Sequence, residues 1–129
     1  MIQKELKAVE SFHKAFKIDC ATEPTVAISE NIKELRFRLM EEENVEYLEA
    51  AKNNDLVEVA DALGDMLYIL CGTILSHGMQ HKIEEVFDEI QRSNMSKLGE
   101  DGEPIYREDG KVMKGPNYFK PNISDILKR

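Results

Sequence analysis

The sequence predicts an all-α protein: four amphipathic helices followed by a C-terminal hairpin and an extended tail. Three observations carry that prediction. Apolar residues recur at helical spacing through the first ninety residues. Helix start and stop signals fall between those periodic runs. Past residue 97 the periodicity gives way to Gly- and Pro-bounded pieces, so residues 1–97 read as the helical domain and 98–129 as its appendage.

The first helix covers about residues 2 to 17, where Ile2, Leu6, Val9, Phe12 and Phe16 share a face. "DCATEP" breaks it, with Pro24 as the stop. The second runs from about 28 to 52 on Ile32, Leu35, Leu39, Val45 and Leu48, and ends at Asn53-Asn54. The third opens with Asp55 as N-cap and Glu58 three residues on, the pattern of a capping box. It runs to about Ser76, with Gly78 as a left-handed stop. The fourth starts near His81 and carries Ile83, Val86, Phe87 and Ile90. In the tail, Asp109-Gly110 between two short apolar runs reads as a two-residue hairpin turn, and "ISDILKR" as a last helical turn.

A chain of 129 residues is long enough for one domain without metal or disulfide staples. Its N-terminus is amphipathic rather than a signal peptide. Cys20 and Cys71 lie far apart without a CxxC partner, which fits a reduced, cytoplasmic protein. The stretch 55–76 is the most apolar, but Glu58, Asp61 and Asp65 inside it argue against a membrane span. The net charge of -8 is uneven: residues 1–91 hold 9 Lys/Arg against 19 Asp/Glu, and residues 92–129 hold 8 against 6. An acidic body argues against binding a nucleic-acid polymer through its phosphate backbone. A small phosphorylated ligand remains open to it, provided a metal ion stands between the negative charges.

The acids of "MEEENVE" (40–46) and "EVADALGD" (58–65) are not arranged as a solvated face. At about 100° per residue, Glu42, Glu43 and Glu46 fall in line with Leu35 and Leu39, whereas Glu41 and Glu49 point away. On the third helix Glu58, Asp61 and Asp65 share one narrow face beside an apolar arc. Crowded carboxylates with apolar neighbours need solvent, Arg/Lys partners or a divalent cation. Arg36 and Arg38 are the only cations near the second-helix cluster. An all-oxygen donor set selects a hard ion, Mg²⁺ or Mn²⁺, and four to six carboxylates suit two or more ions. Glu58 has a competing role as partner of the Asp55 cap.

At this point the sequence resembles the all-α nucleoside triphosphate pyrophosphohydrolases, the MazG-like and phosphoribosyl-ATP pyrophosphohydrolase-like superfamily, whose signature is E-E-x-x-E on one helix and E-x-x-D on the next. Glu42-Glu43-Asn44-Val45-Glu46 matches the first part, and "GDMLYIL" at 64–70 resembles the stretch that follows the second. "RSNMSK" at 92–97 and "SFHKAF" at 11–16 resemble segments of the branch with dUTP-preferring members. Read literally, E-x-x-D is Glu58 to Asp61. Aligned through "GDMLY", its final Asp is Asp65, and Ala62 stands where the Glu would be.

The resemblance implies a four-helix MazG-like fold and Mg²⁺-dependent cleavage of the α–β anhydride of a nucleoside triphosphate, dUTP or another dNTP, to monophosphate and pyrophosphate. Glu43, Glu46, Asp61 and Asp65 would be metal ligands, with Glu58 in the literal register. Glu42 would be a ligand or would orient the attacking water. Asn94 would contact sugar or base, and Lys97 phosphate; otherwise both are residues of a helix C-terminus. The basic tail, Lys114 included, would close over phosphate or be solvated. Phe12, His13 and Phe16 are candidates for a base pocket; alternatively the two Phe are core and His13 is exposed. The third helix is apolar over about half its circumference, more than its own chain can cover, so a homodimer or homotetramer is expected. Phosphoribosyl-ATP hydrolysis, or a non-enzymatic nucleotide-sensing module, are the rival readings.

Overall fold

The structure is a computed structural model that describes all 129 residues. It is all-helical: α1 (Gln3–Ala15), α2 (Glu30–Lys52), α3 (Leu56–Ser76), α4 (Ile83–Met95) and α5 (Ile123–Lys128). The chain forms two compact units, Met1–His81 and Lys82–Arg129.

In the first unit α3 is the central element, packed against both α1 and α2. Local signals set its ends. Asp55 Oδ1 accepts from the Glu58 backbone N–H, as its place before the apolar run predicts. The other half of the capping box is not formed: the Asp55 N–H donates instead to the Ala50 carbonyl, so the Glu58 side chain is exposed and does no capping. Asn54 at φ 54 turns the chain there, and α2 and α3 become an antiparallel pair across a three-residue link. At the far end Gly78 takes φ 67, its N–H donating to Leu75 O and that of Met79 to Ile74 O. A side chain at Gly78 would also run into the Glu23 carbonyl. α2 starts on Ser29, whose hydroxyl accepts from Ile32 N–H.

Most of the core of this unit lies at one end of the helices, where Leu6, Val9 and His13 of α1 meet Cys71, Gly72, Ile74, Leu75 and Ser76 of α3, while Ala50 of α2 and Ala62 of α3 are buried nearer the other. By length and composition alone α3 could cross a membrane. Its last turns, Cys71, Gly72 and Ile74 to Ser76, are buried against its neighbours. Before Cys71 only Ala62 of α3 is buried. Val45 and Leu48, expected in the apolar stripe of α2, remain exposed, as do Val57, Leu63, Leu67 and Leu70 on α3, Leu63 at 51%.

In the second unit α4 packs on α5, with Val86 and Ile126 buried. Asn122 caps α5, and Glu89 accepts from the Asn122 N–H and pairs with Arg92. The expected hairpin is reduced to one isolated bridge, Tyr106 with Val112. Its turn is also longer than two residues. Gly110 N–H bonds Arg107 O and Arg107 N–H bonds Lys111 O, with Gly110 at φ 88, which places Glu108, Asp109 and Gly110 in the loop.

Candidate active site

The α2–α3 pairing decides which acids meet. Glu43 is half-buried, and its carboxylate oxygen Oε2 is sealed from solvent without a hydrogen-bond partner. Its pKa is pushed up from 4.5 to about 7, first by burial, then by a hydrogen bond with the Glu46 carboxyl and by the charges of Glu46, Asp65 and Asp61. So Glu43 and Glu46 of α2 and Asp61 and Asp65 of α3 come together. Glu42 and Glu58, both exposed, are not among the groups acting on Glu43. No three of the chain's His, Cys, Asp or Glu side chains stand at metal-binding geometry. The acids converge as charges without closing a coordination shell.

Beginning about one helical turn away, the same two helices and α1 line a cavity of about 730 Å³. Its walls include Phe12 and His13 of α1, Arg36 and Leu39 of α2, and Tyr68 and Ile69 of α3. Of the two expectations for α1, core Phe with exposed His is overturned. His13 is 2% exposed, whereas Phe12 and Phe16 are 39% and 66% exposed. The reason is packing: His13 sits where α1 crosses α3 at Gly72, and a Cβ on that glycine would come within 3.0 Å of His13 Nε2. Only the absent side chain admits the imidazole. Burial, and secondarily the Arg36 charge, hold the His13 pKa down, which favours the neutral ring, and its Nδ1 lies 3.3 Å from Cys20 Sγ. Phe12 stacks at 4.4 Å on Phe16 and meets Tyr68 edge-on at 5.7 Å. Burial pushes the Cys20 thiol up, which makes it a poor nucleophile.

Sequence reasoning placed Arg36 only as a nearby cation. In the structure its Nε donates to Thr73 Oγ1 at 3.0 Å and its Nη2 to Ile69 O at 2.8 Å, and Thr73 Oγ1 in turn donates to Ile69 O. A Cβ on Gly72 would stand 2.5 Å from Nη2, so the same glycine makes room for the guanidinium. The signal was present: Arg36 is seven residues before Glu43, hence on the same face of α2, and Gly72 is seven after Asp65 on α3.

The remaining candidates belong to the second unit. Asn94 and Lys97 line a cavity of about 410 Å³ with Leu98, Pro104 and Val112. They close the end of α4, the Lys97 N–H donating to Asn94 O. Lys114 is exposed, with its ammonium 4.8 Å from the Tyr118 ring centre.

The model of a family described as phosphoribosyl-ATP pyrophosphohydrolase matches residues 9–94, a span that holds all four converging carboxylates. Among solved structures the chain is similar to a candidate NTP pyrophosphohydrolase from Exiguobacterium sp. 255-15. The two are 27% identical, with a TM-score of 0.50, and the match covers 96% of this chain and 91% of that one. No curated protein matches.

Proposed function

Because the chain belongs to the phosphoribosyl-ATP pyrophosphohydrolase family and is thus a pyrophosphohydrolase, we propose that it cleaves the α–β anhydride of a nucleoside triphosphate, dUTP or another dNTP, to monophosphate and pyrophosphate, using Mg²⁺. The observation that carries this reading is the convergence of Glu43, Glu46, Asp61 and Asp65 beside the cavity of about 730 Å³. The donor set is oxygen only, and a buried, unpartnered carboxylate oxygen on a residue whose acting charges are all acids fits a hard divalent cation. When bound, Mg²⁺ supplies charge neutralisation and a more acidic water.

The chain's own residues do the rest. Glu43, Glu46, Asp61 and Asp65 hold the cation, with Glu58 at the exposed margin. Glu42, exposed beside Glu43, orients the attacking water. Phe12, Tyr68 and the edge of His13 offer apolar and aromatic walls of the size a nucleobase needs. Asn94, Lys97 and Lys114 are the polar and cationic candidates that the second unit offers. The converging acids and the cavity both lie in the unit Met1–His81. A second copy of the chain covers the exposed leucines and valines of α2 and α3, making a homodimer or homotetramer.

Phosphoribosyl-ATP is the second reading, favoured by the description of the matching family. A panel of dNTPs, NTPs and phosphoribosyl-ATP with Mg²⁺ or Mn²⁺ separates the two. Pyrophosphate and a nucleoside monophosphate are the expected products. Release of orthophosphate, or of nothing from any substrate, rejects the proposal.

A further inference from the structure

We infer that Arg36 is the specificity-determining residue of this site, donating to an exocyclic oxygen at the far edge of the base. It thereby selects keto nucleobases (uracil, thymine, guanine, hypoxanthine) over amino ones (cytosine, adenine). The inference rests on the nucleotide reading above and deepens it.

Arg36 is a half-buried guanidinium in a mostly apolar cavity, and no carboxylate pairs with it. Burial holds its pKa below the usual arginine value, and no opposite charge offsets that. Two of its five N–H donors are committed to Thr73 and Ile69, and the rest find no acceptor within the chain. A desolvated cation with spare donors is costly unless something arrives to accept from it. The neighbouring imidazole does not: His13 engages Cys20 through Nδ1, and its neutrality is favoured by Arg36 itself.

Position says what arrives. Arg36 and Glu43 are seven residues apart on one face of α2, and Gly72 and Asp65 seven apart on one face of α3. The two helices are antiparallel, so the Arg36–Gly72 contact and the Glu43–Asp65 coupling are two rungs of one register, about 10 Å apart along the pair. That separation is comparable to the reach of a nucleotide from its phosphates to the far edge of its base. Phe12, Leu39 and Tyr68 line the space between, where a ring can lie.

Chemistry then says which base. Guanidinium is donor-only. Uracil, thymine and guanine carry a carbonyl oxygen at the far edge, whereas cytosine and adenine carry an amino group. An amino group there sets donor against donor and leaves a buried guanidinium unsatisfied, the kind of mismatch that discriminates most strongly. The bonds from Nε to Thr73 Oγ1 and from Nη2 to Ile69 O hold the guanidinium in this orientation.

The test uses matched pairs, UTP against CTP and GTP against ATP with their deoxy forms, compared by kcat/KM. Calorimetric binding of UMP, CMP, GMP and AMP gives a readout that needs no turnover. Expected for the unmodified protein is at least about a tenfold preference for the keto member of each pair. Arg36→Met should bring both ratios near one, chiefly by raising KM for the keto substrates, and Arg36→Lys should restore part of the preference. Thr73→Val, which removes the acceptor that aims the guanidinium, should lower the ratio in a protein that keeps its helix content. A preference for the amino members, or a folded Arg36→Met or Thr73→Val protein with unchanged ratios, overturns the inference. Should Arg36→Met not fold, the unmodified protein and Thr73→Val decide it. Keto-selective binding without pyrophosphate release would leave Arg36 assigned and sink the hydrolase reading instead.

Discussion

Replacing Glu43 by Gln should stabilise the metal-free protein while nearly abolishing pyrophosphate release. The carboxyl is held from 4.5 to about 7, chiefly by burial and by Glu46, Asp65 and Asp61. A shift of that size corresponds to at most ~3 kcal/mol of strain in the ionised form. The other three acids are exposed, and solvent screens them, which reduces the figure to about 1–2 kcal/mol. For a chain of this length that is a rise of roughly 3–10 °C in melting temperature. The sign depends on pH. Between about 4.5 and 7 the folded protein keeps a proton on Glu43 that the unfolded chain releases. The stability this group contributes is therefore fully present below about 4.5 and lost as pH rises through about 7. Gln removes that slope, so the variant should gain over the unmodified protein at pH 8 and match it near pH 4.5. Thermal unfolding in chelator at both pH values measures the difference. Because Gln cannot supply a charged ligand, the gain conferred by Mg²⁺ with a non-hydrolysable triphosphate should shrink in the variant. A variant less stable than the parent at pH 8, or a difference that does not change with pH, refutes the reasoning.

Asp61→Asn should nearly abolish turnover with helix content unchanged by circular dichroism; near-normal turnover under saturating Mg²⁺ would remove Asp61 from the metal site. Gly72→Ala should cost about 1–3 kcal/mol in denaturant unfolding, since the added methyl meets Arg36 and His13, both fixed by hydrogen bonds. Asp55→Ala should cost about 1 kcal/mol through its lost cap, while Glu58→Gln leaves stability unchanged; a destabilised Glu58→Gln protein would show a capping role after all. Sedimentation at micromolar concentration should show a dimer or larger; a fully active 14.8 kDa monomer excludes the shared helical surface.

The sequence by itself determined whatever depends on near neighbours along the chain. Helix ends at Asp55 and Gly78 were legible because a cap acts within four residues, and the acid faces of α2 and α3 because helical rotation is the same in any context. The all-α class followed from the same periodicity. What it left open was which faces meet. Both Glu42 and Glu43 lay along the apolar stripe, yet the α2–α3 register buries an oxygen of Glu43 and leaves Glu42 in solvent. The capping box failed at Glu58 because the turn at Asn54 hands the Asp55 N–H to Ala50. His13 is buried and its flanking phenylalanines are not, because a glycine fifty-nine residues on leaves the space an imidazole and a guanidinium share. Such choices belong to tertiary structure for one physical reason: burial, a shifted pKa or an unpaired donor is a property of two surfaces in contact, and periodicity describes only one of them.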